Sequence, residues 1–486
     1  MNTSLYDELN RYLSEGLYPL HMPGHKRLPG AEDSAAAGEY GAVPYPEAFQ
    51  RLPFEMDVTE LPGTDNLHDA RGILRDAMLR TAELYGAART FYLVGGSTAG
   101  ILAGLHALVP FGSKILCARN CHKSVYHAAE LLHLQVVFLD PPILPDFGIA
   151  GSIPAKTVAA AFSAHPDAAA LVLTSPTYEG VVSDIRKIAE LCRAAGAKLF
   201  VDEAHGAHLG LFEKDFFPES ALHLGADLVV QSAHKTLPAL TQTAFLHIPS
   251  LRGADGAAAD PDAVARSLSV FETSSPSYPL LISLDACTAF LRENGGSFFA
   301  RWRSMLEDFY EETCALRNIR IFRGEGPAVF AFDPSKLLIR SSLEGARLAE
   351  ILRERFGFET EMHGGNNVLA MTTGMDDPAA LKKLSQALRT LDGDAFRAGE
   401  ARACPPPLPA GGFSGPSPVS IYDALHADAE SIPLQKAAGR ILAEYLCPYP
   451  PGIPLLSPGE VIPEALLSHS YFRDLMTVRV LKQTGC

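Results

Sequence analysis

The sequence has few cysteines, and none of them is arranged as a metal or redox motif. Eight cysteines are spread over 486 residues, and no two of them form a CxxC pair. The closest two, Cys117 and Cys121, are not followed by a second pair at zinc-binding spacing. We therefore expect reduced thiols, no metal site and a cytoplasmic protein.

Basic residues and long apolar runs are also scarce. The chain has 41 Lys and Arg against 56 Asp and Glu, a formal net charge of −15. Because nucleic acids are bound by clustered Lys and Arg, we expect no nucleic-acid partner. The most apolar stretch, residues 93–110, is interrupted by Gly, Ser, Thr and His, whereas a membrane-spanning helix needs about 20 mostly apolar residues. The N-terminus lacks the apolar core of a signal peptide, so we expect no membrane partner.

Apolar runs alternate with helix-period segments over the first two thirds of the chain. With 47% hydrophobic and 20% charged residues the composition is globular. Continuous apolar strands between helices predict an α/β fold with a mostly parallel seven-stranded sheet covered on both faces. The predicted strands are Phe91–Val94, Lys114–Cys117, Gln135–Leu139, Ala169–Thr174, Lys198–Val201, Leu228–Gln231 and Ala244–Ile248.

We predict three parts along the chain. Residues 1–58 begin with a short helix and continue as a Pro-punctuated arm, and residues 59–318 form the large domain. Residues 319–486 form a smaller C-terminal α/β domain, reached through a long helical pattern over 280–316. This smaller domain is predicted to have strands near Phe330 and Val368, a Pro/Gly-rich linker near 404–418 and helix-like patterning over the last 68 residues.

Two polar segments follow predicted strands and carry residues suited to catalysis. Lys235 stands in QSAHKTLP, and a partly desolvated lysine at a strand end has a lowered pKa and can form a Schiff base with a carbonyl. Asp202 stands in FVDEAHGAH, where a carboxylate is costly unless it is paired. A protonated pyridine nitrogen would pair with it, as in pyridoxal phosphate enzymes, and a helix N-cap is the alternative. A zinc site is a further alternative for three side chains of this segment: Glu203, His205 and His208.

Two further segments also follow predicted strands. The GGST turn over 95–98 leads into a helix, whose free N–H groups and hydroxyls would suit a phosphate. His122, in RNCHKS, could stack on a flat aromatic cofactor, although a lone histidine is more often structural. In chain order the four segments give a phosphate turn, a stacking His, a ring Asp and a Schiff-base Lys. That is the order found in fold-type I pyridoxal phosphate enzymes.

The chain resembles the Orn/Lys/Arg decarboxylase family of these fold-type I (aminotransferase-like) enzymes over almost its whole length. With no receiver-like domain ahead of the arm, it is similar to the short form, whose members are called arginine decarboxylases. One departure is Gly95, where the family usually has Asn. The resemblance rests on nine stretches: PGHKR at 23–27, DVTELPGTDNLHDARG at 57–72, GGSTAGI at 95–101, RNCHKS at 119–124, LTSPTYEGVVSDI at 173–185, VDEAHGAHL at 201–209, SAHKTLPALTQ at 232–242, TSSPSY at 273–278 and YPPGIPLLSPGE at 449–460.

The resemblance implies a role for each matching residue. Lys235 would bind pyridoxal 5'-phosphate covalently, Asp202 would pair with its ring nitrogen, His122 would stack on the ring, and His205 would lie near the ring oxygen. A homodimer is implied, in which Ser274 or Ser275 lies near the partner subunit's cofactor. The residues implied to hold the phosphate are Ser97, Thr98, Ser232 and His234.

The implied reaction is decarboxylation of a basic amino acid to its amine and CO2. Arginine is favoured, with lysine and ornithine left open, and Glu460 or Asp65 would bind the cationic side chain. Two alternatives remain: another fold-type I reaction such as transamination, or a catalytically inactive regulatory homologue. A cysteine desulfurase is disfavoured because no Cys stands between Cys314 and Cys404.

Overall fold

The structure, a computed structural model, describes residues 4–15, 23, 52–250, 259–393, 417–448, 452–467 and 476–482. Its helices are α1 Leu5–Ser14, α2 Ile73–Tyr85, α3 Gly96–Leu108, α4 Lys123–Leu131, α5 Ala155–Ala164, α6 Ile185–Ala194, α7 Ala233–Thr236, α8 Pro261–Phe271, α9 Tyr278–Glu312, α10 Gly345–Phe356, α11 Pro378–Gly393, α12 Ile421–His426 and α13 Glu464–Leu467. Its strands are β1 Ala87–Leu93, β2 Lys114–Ala118, β3 Gln135–Leu139, β4 Ile143–Leu144, β5 Ile149–Ala150, β6 Ala168–Thr174, β7 Val181–Val182, β8 Lys198–Asp202, β9 Leu228–Gln231, β10 Ala244–Pro249, β11 Arg320–Ile321, β12 Ala331–Phe332, β13 Lys336–Arg340, β14 Met362–Gly364, β15 Asn367–Met371, β16 Ala429–Pro433 and β17 Thr477–Leu481.

A seven-stranded sheet forms the centre of the large domain. Its strand order is β1-β10-β9-β8-β6-β2-β3. Strand β10 is antiparallel to both of its neighbours, and the ladders from β9 through to β3 are parallel. The prediction of a mostly parallel seven-stranded sheet is confirmed. Its central strands, such as LVVQ and KLFVD, are continuous apolar runs because both faces of the sheet are covered.

Helix α3 lies unusually close to this sheet because two of its residues are glycines. A Cβ atom at Gly100 would come within 2.6 Å of Leu93, and one at Gly104 within 2.8 Å of both Leu228 and Phe200. Without those side chains the helix packs directly on the central strands. Its first turn therefore lies at the end of β1, beside the polar residues described below.

The long helix α9 connects the large domain to a smaller one. It spans 35 residues and carries Trp302, whose indole N–H donates to Thr372 after β15 (3.0 Å). The small domain is built on a four-stranded antiparallel sheet of order β11-β13-β15-β14. The strand predicted near Phe330 is β12, which pairs with β7 of the large domain rather than with this sheet.

The described C-terminal residues have a separate hydrophobic cluster that includes Leu442, Leu456 and Val480. The helix-like patterning predicted for the last 68 residues is wrong for much of this segment. Strands β16 and β17 pair there, and in β17 Val478 and Val480 are buried while their neighbours face solvent, which is the two-residue period of a strand. Residues of the range predicted as one domain, 319–486, contribute to several hydrophobic clusters: Ile339 packs with α9, Phe322 packs with Phe147, and Leu442 belongs to the C-terminal cluster. The extent of that domain stays a prediction.

The structure describes only part of the arm predicted over the first 58 residues. The short N-terminal helix is present as α1, whose Leu5 and Leu9 pack into the large-domain core. Of the PGHKR motif only Pro23 lies within the described residues. The described helices include none that is long and apolar enough to cross a membrane.

Candidate active site

Lys235 lies on the short helix α7, immediately after strand β9. Its Nζ atom is 2.9 Å from Nε2 of His205 and 5.8 Å from the centre of the Tyr178 ring. Burial lowers the pKa of Lys235, and the carboxylates of Asp202 and Glu361 partly oppose that shift. A larger fraction of this amine is therefore uncharged and nucleophilic than for a lysine in water.

Asp202 ends the neighbouring strand β8 and is only 3% exposed. One of its oxygens accepts a hydrogen bond from the Ala204 N–H (3.1 Å). Burial raises the pKa of Asp202, while the positive charge of Lys235 opposes the rise. A cationic group bound against this carboxylate would offset the cost of burying it.

His205 is buried between Lys235 and Tyr178. Its ring centre lies 4.2 Å from that of Tyr178, and Lys336 donates a hydrogen bond from Nζ to its backbone oxygen (3.2 Å). Burial, together with the charge of Lys235, lowers the pKa of His205 well below its ordinary value, so the ring is neutral. Within the described part of the chain its buried Nδ1 atom has no hydrogen-bond partner.

His122 precedes helix α4 and forms its N-cap. Its Nδ1 atom is 2.8 Å from the Ser124 hydroxyl. Burial, and then the positive charge of Lys235, lower the pKa of His122 to about 4. The ring is therefore neutral at pH 7 and close enough to Lys235 for the charge of that amine to act on it.

The GGST turn leaves the start of helix α3 without a side-chain cap. Gly95 is its N-cap residue, and the Gly95 N–H donates to both carboxylate oxygens of Glu272 (3.1 and 3.0 Å). Ser97 is partly exposed and Thr98 is exposed in the first turn. Hydroxyls and N–H groups at a helix start are suited to an anion.

Two further residues predicted to hold the phosphate lie around Lys235. Ser232 is fully buried, and among the described residues nothing hydrogen-bonds to its hydroxyl. His234 has Nδ1 2.8 Å from the backbone oxygen of Thr243, which fixes the orientation of the ring. A buried hydroxyl without a partner is uncommon, and a bound group would satisfy it.

Ser274 and Ser275 are exposed in the loop between α8 and α9. The Ser275 N–H donates to the Thr273 hydroxyl (3.1 Å), and Glu272 at the start of this loop is the partner of Gly95. The loop therefore lies beside the GGST turn of its own chain. Its approach to a partner subunit's cofactor stays a prediction.

The two carboxylates predicted to bind the substrate cation are already engaged. Asp65 accepts hydrogen bonds from five backbone N–H groups, including those of Gly72 and Leu74 at the start of α2. Glu460 is fully buried and forms a bidentate ion pair with Arg119. Asp65 thus caps a helix and Arg119 neutralises the charge of Glu460, while the assignment of either carboxylate to the substrate cation stays a prediction.

The zinc alternative is not supported by the directions in which the three side chains point. Glu203 accepts hydrogen bonds from Ser220 and Gln231, whereas His208 pairs with Asp333 (3.2 Å). His205 points to Lys235 instead. Each of the three side chains therefore contacts a different partner, and they do not converge on one position for a metal ion.

Three residues around Lys235 were missed from the sequence: Tyr178, Lys336 and Glu361. Tyr178 lies in the LTSPTYEGVVSDI stretch, so an aromatic residue just after a strand was the available signal. Its hydroxyl donates a hydrogen bond to the Glu361 carboxylate. Lys336 and Glu361 come from the small domain, and no local motif marks either of them.

These residues fit pyridoxal phosphate. The donor set offers a half-buried amine, a buried carboxylate one strand away and an uncapped helix start, which match an aldehyde, a pyridine nitrogen and a phosphate. Ser232 Oγ and His205 Nδ1, which have no hydrogen-bond partner among the described residues, lie in the same region.

The fold is that of the fold-type I pyridoxal phosphate-dependent enzymes. The structure matches lysine decarboxylase LdcF of Francisella novicida with a TM-score of 0.78 at 19% identity, over 99% of this chain and 81% of that one. It also matches ureidoglycine–glyoxylate aminotransferase of Bacillus subtilis with a TM-score of 0.52 at 16% identity, over 68% of this chain and 87% of that one.

The family is defined by the sequence. The family model "Orn/Lys/Arg decarboxylase, major domain" matches residues 3–377, and the model of the C-terminal domain of the same family matches residues 417–480. The chain therefore belongs to the Orn/Lys/Arg decarboxylase family, a family of carboxy-lyases.

Two curated relatives from Bacillus subtilis are similar over nearly the whole chain. The uncharacterized protein YaaO is 36% identical over 477 residues, covering 95% of this chain and 92% of YaaO. An arginine decarboxylase is 30% identical over 479 residues, covering 96% of this chain and 93% of that enzyme.

Proposed function

We propose that the protein decarboxylates a basic amino acid, with arginine favoured over lysine and ornithine, and releases the corresponding amine and CO2. The observation that carries the proposal is the position of the half-buried Lys235 amine, 2.9 Å from His205, one strand away from the buried carboxylate of Asp202. Membership of the decarboxylase family and similarity to an arginine decarboxylase support the reaction class and the favoured substrate.

Pyridoxal phosphate, when bound, supplies an aldehyde that condenses with amines and a ring that accepts the electron pair left when CO2 departs. Lys235 would carry the cofactor, and Asp202 would keep its ring nitrogen protonated. His122 would lie against one face of the ring, and the neutral His205 beside the ring oxygen. Four residues would hold the phosphate: Ser97, Thr98, Ser232 and His234.

The reaction also needs a proton at the substrate Cα after CO2 has left. While the substrate amine is bound in its place, Lys235 would no longer carry the cofactor, and its amine would be available to hold a proton. His205, 2.9 Å away, stays neutral because its pKa is depressed, so a proton shared by the two groups resides on Lys235, with His205 Nε2 as its hydrogen-bond acceptor. We assign the proton delivery to this pair, with Lys235 as the donor.

The proposal includes a homodimer in which the exposed loop residues Ser274 and Ser275 approach the partner subunit's cofactor. Their exposure and their place beside the phosphate turn are compatible with that arrangement. A Ser274→Ala/Ser275→Ala variant should weaken pyridoxal phosphate binding without changing the mass of the oligomer. Unchanged cofactor affinity would remove these residues from the proposed site.

The experiment is a product assay with three substrates. Purified protein with pyridoxal phosphate is incubated separately with arginine, lysine and ornithine, and CO2, amine and 2-oxo acid are measured. Equimolar CO2 and agmatine, cadaverine or putrescine are expected from one substrate, and Asp202→Asn should lower that rate at least about 100-fold. A 2-oxo acid without CO2 would indicate transamination, and binding without turnover would indicate a non-catalytic homologue.

A further inference from the structure

We propose that Glu361, held by Tyr178, is the carboxylate that binds the distal cation of the substrate and thereby selects basic amino acids. The proposal rests on the proposed function and names a specificity residue for it. It begins from the finding that Asp65 and Glu460, the two carboxylates predicted from sequence, are engaged by backbone N–H groups and by Arg119.

A series of direct contacts leads from the reacting amine to Glu361. Lys235 Nζ lies 2.9 Å from His205 Nε2, and the ring of His205 packs on that of Tyr178 with 4.2 Å between centres. The Tyr178 hydroxyl then donates to Oε1 of Glu361. The carboxylate is therefore separated from the Lys235 amine by a single tyrosine ring, and its charge acts on that amine.

Packing fixes the position of Tyr178, and a backbone hydrogen bond fixes that of Glu361. Tyr178 lies between β6 and β7, and it packs in a cluster with Phe332 and with Met362, which directly follows Glu361. The Glu361 N–H donates to the backbone oxygen of Leu369 (2.9 Å), which fixes the residue at the start of β14. The carboxylate thus projects from the small domain towards the active-site residues of the large domain.

Glu361 is exposed, and within the described part of the chain it has no Lys or Arg partner. This distinguishes it from Glu460, whose charge is neutralised in the protein interior. A substrate whose α-amine is at Lys235 would extend its side chain along the Tyr178 ring. A lysine, ornithine or arginine cation would then meet the carboxylate, and the aromatic face on the way also favours a cation.

The test compares four variants of the pyridoxal phosphate-loaded enzyme by steady-state kinetics. Glu361→Gln removes the charge, and Tyr178→Phe removes the hydroxyl that holds it. Glu359→Gln is the matched control, because Glu359 is an exposed glutamate two residues away that pairs with Arg353 instead. Glu460→Gln tests the competing assignment. The inhibition constant of the product amine measures binding of the distal cation by a ligand that is not itself converted.

Glu361→Gln should raise KM for the basic substrate, and the inhibition constant of the amine, about 10- to 100-fold, because a charge-assisted contact is lost. Tyr178→Phe should raise both by about 3-fold. Glu359→Gln should leave both unchanged, and the absorption of the bound cofactor should be the same in wild type, Glu361→Gln and Glu359→Gln.

Two outcomes would overturn the inference while leaving the proposed function intact. One is a KM and an inhibition constant in Glu361→Gln equal to those of Glu359→Gln. The other is a selective rise of KM in Glu460→Gln with a folded protein and an unchanged cofactor spectrum. If the wild type decarboxylates none of the three basic amino acids, the proposed function fails first. In that case calorimetry of product-amine binding to wild type, Glu361→Gln and Glu359→Gln tests the role of Glu361 without turnover, and equal affinities would overturn it.

Discussion

The Nζ atom of Lys336 lies 3.2 Å from the backbone oxygen of His205, so a charge from the small domain holds the residue that contacts Lys235. Lys336 is fully buried and pairs with Asp333 (3.1 Å), which in turn pairs with His208 (3.2 Å). Burial alone would raise the pKa of Asp333, but the charge of Lys336 and the contact with His208 lower it well below its ordinary value. The active-site segment and the small domain are therefore joined by a buried charge cluster.

Breaking this cluster should destabilise the protein strongly. Asp333→Asn leaves Lys336 as a buried charge with no compensating carboxylate, which costs about 3–5 kcal/mol of the free energy of unfolding. Urea unfolding followed by tryptophan fluorescence measures the change, because Trp302 packs against His208. The matched control is Glu350→Gln, which breaks an exposed pair with Arg347 and should cost less than about 1 kcal/mol. Equal effects of the two substitutions would show that the cluster contributes no special stability.

The Arg119–Glu460 pair should connect the C-terminal residues to the large domain. Both side chains are buried, and Arg119 also lies over the Phe138 ring at 4.0 Å. Arg119→Met and Glu460→Gln should each cost about 3–5 kcal/mol. The double variant should cost clearly less than the sum, because both substitutions remove the same interaction. Additive costs would mean that the two residues do not stabilise each other.

Stability should fall as the pH is lowered from 7 to 5, in part because of His247. This residue is fully buried between Thr90 (2.8 Å) and Gln231 (3.2 Å), and burial lowers its pKa to about 3. A histidine in the unfolded chain has a pKa near 6.5, so the unfolded state binds more protons over this range. The stabilising contribution is complete above about pH 6.5 and is lost progressively as the pH falls towards 3.

The expected loss from His247 alone is about 2 kcal/mol at pH 5. His247→Gln removes this titration, so the variant should show a flatter dependence of unfolding free energy on pH than the wild type. Replacing the exposed His426 in the same way should leave the wild-type slope unchanged. If His247→Gln and the wild type have the same slope, His247 does not titrate differently in the folded and unfolded states.

Asparagine at position 95, which the resemblance leads one to expect, should be unfavourable in this chain. A Cβ atom there would lie 2.9 Å from the Cβ of Ala99 and 3.2 Å from the Glu272 carboxylate, which already binds the Gly95 N–H. Gly95→Asn should therefore cost about 1–3 kcal/mol of stability and weaken pyridoxal phosphate binding. Fluorescence titration with the cofactor measures the second effect. Tighter cofactor binding in the variant would show that Ala99 and the Glu272 carboxylate leave room for a side chain at position 95.

The sequence was most informative where structure is local. The strand runs and the polar residues at their ends, such as Asp202 and Lys235, follow from a few neighbouring residues and lie on adjacent strands of the sheet. The substrate carboxylate was not predictable in this way. Glu460 meets Arg119 across 341 positions of the chain, and Glu361 meets Tyr178 across 183, so only the folded chain brings them together.

The C-terminal segment shows a second limit of sequence patterns. The short apolar runs around Leu442 and Leu456 carry no clear period, because isolated bridges and turns rather than long elements bury them. The pairing of β16 with β17 depends on residues about 50 positions apart along the chain. Periodicity over a short window does not register such pairing.

Lys235 should carry pyridoxal phosphate, and peptide mapping after reduction tests this assignment residue by residue. The protein is loaded with the cofactor, reduced with borohydride, digested and analysed by mass spectrometry. A pyridoxyl group is expected on the peptide that contains Lys235, and this modification should be lost in Lys235→Ala. Modification of a neighbouring lysine such as Lys336 or Lys123 instead, or of none, would contradict it.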